Sequence, residues 1–254
     1  AEAFDFSDVD SLGEITMNDA YMDIHIDEVL ELPLVDAEAV AKRKFKVVVD
    51  GVNSSGGIII PKLLEQMGVE VVELYCTPNG HFPHNPEPLK EHLGDICKLV
   101  LEEKADFGIV VDPDVDRLAL VSEDGSMFGE EYTLVACADY VLGKLGGGNT
   151  VSNLSSSRAL RDVTQQHGGI YTASAVGEVN VVHKMKETNT VIGGEGNGGI
   201  IYPASHYGRD SLVGVALFLT YLANQDKTVA ELRASYPQYY MSKNKIELTP
   251  QIDV

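Results

Sequence analysis

From residue 45 onward the chain alternates unbroken apolar runs with stretches where apolar residues recur at helical spacing. "FKVVVD", residues 45–50, reads as a strand covered on both faces. "SSGGIIIPKLLEQMG" follows, with Ile59, Leu63, Leu64 and Met67 on one helical face and Gly68 as a stop. "VEVVELY" predicts a second strand. Leu89, Leu93, Ile96, Val100 and Leu101 predict a helix face, and "FGIVV" predicts a third strand. Such alternation predicts an α/β layered fold. Residues 1–20 are acidic and without periodicity, so they read as a loop or tail.

The pattern then repeats. "FGIVVDPDVDRLALVSEDGSMFGEEYTLVACADYVLG" runs strand, loop, strand, turn, helix. "TVIGGEGNGGIIYPASHYGRDSLVGVALFLTYLAN" runs the same way, with Gly129 and Gly208 in matching places. Upstream, "VVVDGVNSSGG" before a helix is echoed by "TVSNLSSSRAL" before a helix. Self-similarity of this kind predicts two copies of one unit. The expected architecture is two tandem, similar three-layer α/β units with mixed sheets. Residues 21–126 and 127–240 are the units, the boundary lies near 124–130, residues 238–254 read as a strand and exit segment, and 241–254 are the exit linker. Each unit has its own apolar strands and helix faces, so each is expected to fold. In open α/β sheets ligands gather at strand carboxyl ends, so the two equivalent loops would face one cleft.

Composition narrows the partners. The net charge of −20 argues against nucleic acid or an anionic membrane, which need basic surfaces. No apolar run is long enough to span a bilayer. Cys76, Cys97 and Cys137 sit far apart in apolar runs and read as buried small hydrophobes in a reducing, cytoplasmic setting. The chain starts at "AEAFDFSDVD" without methionine, which reads as a processed or excised piece.

Two loops carry candidate chemistry. The first holds Asp112, Asp114 and Asp116, followed by Arg117. Carboxylates at alternate positions point the same way if the backbone is extended. Like charges about 4 Å apart repel by roughly 1 to 4 kcal/mol, and one arginine cannot relieve all three contacts. An EF-hand loop fails, because Arg117 stands where its turn needs glycine and the flanks are strands. A haloacid-dehalogenase-type phosphatase fits "IVVDPDV" but lacks its later acidic motif. A solvated acidic turn is the plain alternative. A Mg2+ site fits the oxygen donors, with coordination positions left open and Arg117 beside them to steady a phosphate.

The second loop is "GGEGNGG", residues 193–199. Its Gly-x-Gly-x-x-Gly at Gly194, Gly196 and Gly199 precedes a strand and Pro203 rather than a helix, which excludes dinucleotide binding. It reads either as a flexible hairpin or as a sugar-hydroxyl site built on Glu195 and Asn197.

These residues resemble the α-D-phosphohexomutases: phosphoglucomutase, phosphomannomutase and phosphoglucosamine mutase. The family's metal loop is usually Asp-Gly-Asp-Gly/Ala-Asp-Arg; here Pro113 and Val115 separate the aspartates. Its sugar loop is usually Gly-Glu-x-Ser-Gly-His; here Asn197 and Gly199 replace the serine and histidine. "HFPHNPEP" and "TASAVGEVNV" resemble segments of its second and third domains. The likeness covers residues 21 to about 245.

The resemblance implies the second and third domains of a four-domain enzyme, with the first and fourth missing. Neither the phosphoserine loop nor the fourth domain's phosphate loop is found; "TAS" at 172–174 and "HNP" at 84–86 are decoys. It implies a cytoplasmic, Mg2+-dependent isomerase acting on hexose phosphate through a hexose bisphosphate. Asp112, Asp114 and Asp116 would hold the metal and Arg117 would stabilise the transferring group. Gly194, Glu195, Gly196 and Asn197 would bind the sugar. A non-catalytic sugar-phosphate-binding module stands as the alternative beside the phosphatase. Arg209 reads as a structural ion pair, and Ser54, Ser55 and Ser155–Ser157 as helix caps.

Overall fold

Two sheets of the same topology organise the chain. The computed structural model describes residues 4–241. In the first sheet β1 (Lys46–Asp50), β2 (Glu70–Leu74), β3 (Phe107–Val111) and β4 (Leu118–Ser122) lie in the order β2-β1-β3-β4. In the second, β5 (Asn149–Asn153), β6 (Tyr171–Ser174), β7 (Thr190–Gly194) and β8 (Ile200–Ile201) lie in the order β6-β5-β7-β8. In both sheets the last strand alone is antiparallel. The expected mixed, three-layer duplication is therefore the observed fold.

The helices are α1 (Tyr21–Leu30), α2 (Ala37–Arg43), α3 (Gly56–Gln66), α4 (Gly94–Glu103), α5 (Glu130–Leu145), α6 (Ala159–Gln166), α7 (Glu178–Glu187), α8 (Ser211–Ala223) and α9 (Val229–Ala234). Gly68 at φ +72 ends the α3 segment as expected. One expected helix face needs correction. Leu89 and Leu93 precede α4, and Leu101 is 53% exposed, so Ile96 and Val100 are its buried residues. Residues 4–20 are exposed and hold only one short 3-10 turn, Val9–Ser11. The expected strand from 238 and the exit linker lie mostly outside the described residues.

The two units share a core. Nearly all of α8 is buried, from Ser211 through Leu222. Its Phe218 ring meets Phe107 of β3 at 5.8 Å and Phe128 at 5.5 Å. One continuous apolar cluster runs from Ile26 and Val47 to Leu217 and Leu232. Smaller clusters lie within single units, around Val48 and Val100 in the first and Val151 and Met185 in the second, but α8 is apolar all round because both units cover it. Cys137 is fully buried, but Cys76 and Cys97 are only half-buried. Burial pushes the Cys76 thiol up to about 11 and the Cys137 thiol up to about 12, so both stay protonated at neutral pH. Among the described residues no helix is long and apolar enough to cross a membrane.

Candidate functional site

Asp112 directly follows β3, and Pro113 has no N–H with which to continue the ladder. The backbone curls instead of staying extended. The Asp112 carbonyl accepts from Val115 N–H at 3.1 Å. Asp112 Oδ1 accepts from the N–H groups of Asp116 and Arg117, both at 3.0 Å. Val115 sits at φ +60, which costs a β-branched residue on the order of 1–3 kcal/mol. Contacts from elsewhere hold that strain. The Ser54 and Ser55 hydroxyls donate to the Pro113 carbonyl at 2.9 and 2.7 Å, and Ser211 N–H donates to the Val115 carbonyl at 3.0 Å. Ser54 and Ser55 therefore brace this loop and do not cap α3 with their side chains, contrary to expectation. Nor is any of Ser155–Ser157 the N-cap of α6, which is Arg158; Ser157 Oγ accepts from Ala159 N–H at 3.1 Å, and the Ser156 hydroxyl donates to Asn153 Oδ1 at 3.1 Å.

The curl gathers the carboxylates. One oxygen from each of Asp112, Asp114 and Asp116 lies within 4.8 Å of the others. Asp112 is buried, Asp116 half-buried and Asp114 exposed. Burial pushes the Asp112 carboxyl up to about 6, and the neighbouring Asp116 and Asp114 charges add to it. Burial also raises Asp116, against the pull of Arg209. Asp116 Oδ1 is buried with no hydrogen-bond partner among the described residues. Crowded hard oxygens and one orphaned buried oxygen fit a divalent cation, and these three residues can hold it.

Arg117 lies beside the cluster. Its Nε is 3.4 Å from Asp112 Oδ2, and its Nη1 is 3.4 Å from Glu87 Oε1. It lines a cleft of about 370 Å³ with Asp112, Asp114, Asn85, Pro86 and Glu87. Asn85, Pro86 and Glu87 of the "HNPEP" segment thus form the wall facing the aspartates.

The glycine loop, between β7 and β8, is closed by packing. A Cβ on Gly194 would lie 2.0 Å from the Gly199 carbonyl oxygen. Gly198 has φ +91, and a Cβ there would lie 2.4 Å from the Leu118 oxygen. The Leu118 N–H donates to the Gly198 carbonyl at 3.1 Å, which joins this hairpin to β4. Gly194, Glu195 and Gly196 are buried, and Asn197 is half-buried. Glu195 Oε1 accepts from Asn153 Nδ2 at 2.6 Å, and Oε2 accepts from Arg209 Nη1 at 2.8 Å.

Arg209 completes the arrangement. Its Nη2 donates to Asp116 Oδ2, so one guanidinium touches both loops. The ion pair expected of Arg209 is present, but its double reach is not legible from spacing; the only signal is a basic residue before α8. Beside it, Asp210 caps α8, its Oδ1 accepting from Leu212 and Val213 N–H at 2.8 and 3.1 Å. Its Oδ2 accepts from His25 Nε2 at 2.7 Å and His206 Nε2 at 2.9 Å. Burial pushes Asp210 up, but the His206 and His25 bonds outweigh it and hold the carboxyl well below the usual range. Asp210 in turn raises His25. His206 Nδ1 accepts from Gly208 N–H at 3.0 Å, which leaves the proton on Nε2. The trio is therefore a hydrogen-bonded latch between α1 and α8, and its His206 nitrogen is not free to ligate a metal.

Comparison with known proteins gives the family. The model of phosphoglucomutase/phosphomannomutase alpha/beta/alpha domain II matches residues 23–125, and that of domain III matches residues 129–240. A phosphoglucomutase/phosphomannomutase of Thermococcus kodakarensis is 38% identical over 212 residues, covering 83% of this chain and 46% of that protein. A probable phosphoglucosamine mutase of Methanopyrus kandleri is 30% identical over 244 residues, covering 96% and 53%. The chain thus spans about half the length of the curated relatives it matches. A phosphoglucomutase/phosphomannomutase family protein of Burkholderia thailandensis superposes with TM-score 0.76 at 28% identity, over 85% of this chain and 46% of the other.

Proposed function

The chain belongs to the phosphoglucomutase/phosphomannomutase family, as its domains II and III, and on that premise we propose that it supplies the metal and sugar loops of a phosphohexomutase. The parent enzyme would interconvert hexose 6-phosphate and hexose 1-phosphate through a phosphoserine and a bisphosphorylated sugar. Residues 21–126 would serve as the metal-loop domain and 127–240 as the sugar-loop domain. The observation that carries this reading is the aspartate cluster, with its orphaned Asp116 Oδ1, beside a cleft walled by Arg117.

Asp112, Asp114 and Asp116 would hold Mg2+. When bound, the ion supplies charge neutralisation and alignment for a phosphoryl group. Arg117, at the edge of the cleft, places its guanidinium where it stabilises the oxygens of a phosphate entering there. Asn197, the half-buried polar side chain of the glycine loop, meets sugar hydroxyls. Glu195, engaged on both oxygens, meets them by exchanging one of its present partners. The phosphatase alternative, read on Asp112 and Asp114, loses ground because the same residues lie inside the matched domain II.

The test is a coupled assay of glucose 1-phosphate conversion with the bisphosphate activator and Mg2+. The 254-residue chain alone should give no turnover, because none of its serines lies in a phosphoserine loop. The polypeptide carrying the flanking domains should turn over, and Asp114→Ala should abolish that turnover. Turnover by a cooperatively folded 254-residue chain would overturn the four-domain assignment. Release of phosphate from simple esters that vanishes in Asp112→Asn would favour the phosphatase.

A further inference from the structure

We infer that Arg209 is a positioning residue that couples the cation loop to the glycine loop. The inference rests on the Mg2+ reading above. Its side chain is 13% exposed and extends from the segment just before α8. Nη2 donates to Asp116 Oδ2, and Nη1 donates to Glu195 Oε2 at 2.8 Å. The Arg209 N–H donates to Glu178 Oε1 at 3.1 Å, which anchors the residue from a third direction. The Gly199 backbone also packs against it: a Cβ on Gly199 would lie 2.4 Å from Arg209 Cδ.

Two consequences follow from that geometry. Arg209 occupies one oxygen of Asp116 and leaves the other, Oδ1, buried and without a hydrogen bond, with only Arg117 Nε at 3.8 Å beside it, so a cation can take it. The same guanidinium is divided among carboxylates: its two terminal nitrogens hold Asp116 and Glu195, while Nε lies 3.5 Å from Glu178 Oε2. A cation on Asp116 weakens its claim on Arg209 and leaves Arg209 more tightly held by Glu195. Neutralising Glu195 does the reverse: Arg209 then leans on Asp116 and competes with the cation. Linkage makes the coupling reciprocal, so an event at Glu195 must alter affinity at the aspartates. Lysine cannot substitute, because a single ammonium lacks the fork that reaches two carboxylates in fixed directions.

The experiment is a double-mutant cycle read by Mg2+ titration calorimetry on the 254-residue chain. Glu195→Gln should weaken Mg2+ binding by about three- to tenfold, the size typical of residues sharing a network. In the Arg209→Lys background the same change should shift affinity by less than about twofold, within the scatter of independent sites. Equal effects of Glu195→Gln in both backgrounds, or no effect in either, would overturn the inference. Asp114→Ala separates the layers. If Mg2+ binding survives that change, the cation assignment falls and the inference with it. If binding is lost but the cycle shows no coupling, only the role of Arg209 falls. A second readout needs no Arg209 variant. Asn153 Nδ2 donates to the far oxygen of Glu195 at 2.6 Å, so its side-chain amide resonances should move as Mg2+ is added to the wild type. Resonances that stay fixed at saturating Mg2+ would contradict the coupling.

Discussion

Asp116 and Glu195 each sit in the loop after the third strand of a four-stranded sheet, and Arg209 touches both. Their surroundings differ. The aspartate loop curls around Pro113, carries Val115 in a strained conformation, and leaves Asp116 Oδ1 without a hydrogen bond. The glycine loop closes on itself, and both Glu195 oxygens are taken by Asn153 and Arg209. A duplicated unit thus keeps its topology while one copy leaves a buried carboxylate oxygen without a hydrogen bond and the other buries a carboxylate bonded on both oxygens. Equivalent position therefore does not mean equivalent readiness to bind. Unpaired buried oxygens mark the loop that takes a ligand outright; paired ones mark a loop that must exchange partners.

The largest expected effect tests whether the glycine loop is held by packing. Gly198→Ala places a methyl against the Leu118 backbone at positive φ, and backbone there cannot step aside. Chemical denaturation should show a loss of about 2–4 kcal/mol. A neutral result would mean that the two hairpins do not touch as described. Next in size is Glu195→Gln in the intact enzyme. A buried charged hydrogen bond is worth roughly 1.5–3 kcal/mol, so turnover should fall about ten- to a hundredfold, more than folding stability does. Unchanged turnover would reduce the glycine loop to a hairpin.

The smallest effect concerns the latch beside Arg209. Asp210 raises His25, so this pair stabilises the fold fully below the unfolded histidine value of about 6.5. That contribution is lost as pH rises through the folded His25 value. Melting temperature should therefore fall as pH rises above about 6.5 in the wild type, and His25→Gln should remove part of that fall. Identical pH profiles for both proteins would show that the latch is not titrating.

Much of this fold is legible from local pattern because β3 and β4 are buried on both faces and spell continuous apolar runs. The two loops are legible because aspartate and glycine clusters are costly between buried strands. What pattern does not reveal is contact across distance. Arg209 meets Asp116 from 93 positions away, and the Ser54 and Ser55 hydroxyls reach Pro113 rather than their own helix. Leu101 is one residue past Val100 and five past Ile96, roughly 100° and 140° round the helix from them, so it meets solvent. The shared core has a signal in retrospect. "SLVGVALFLTYLA" is apolar on every face, which only a helix covered from all sides requires.

The most direct test of the central claim is Mg2+ titration calorimetry on the 254-residue chain beside its Asp114→Ala variant. Asp114 is the exposed member of the cluster, so its removal leaves the core and the Arg209 contacts untouched. Weak, saturable Mg2+ binding is expected of the wild type and none of the variant, with both chains melting cooperatively. Equal binding by the two chains would contradict it, and the three aspartates would then be an acidic turn and no metal site.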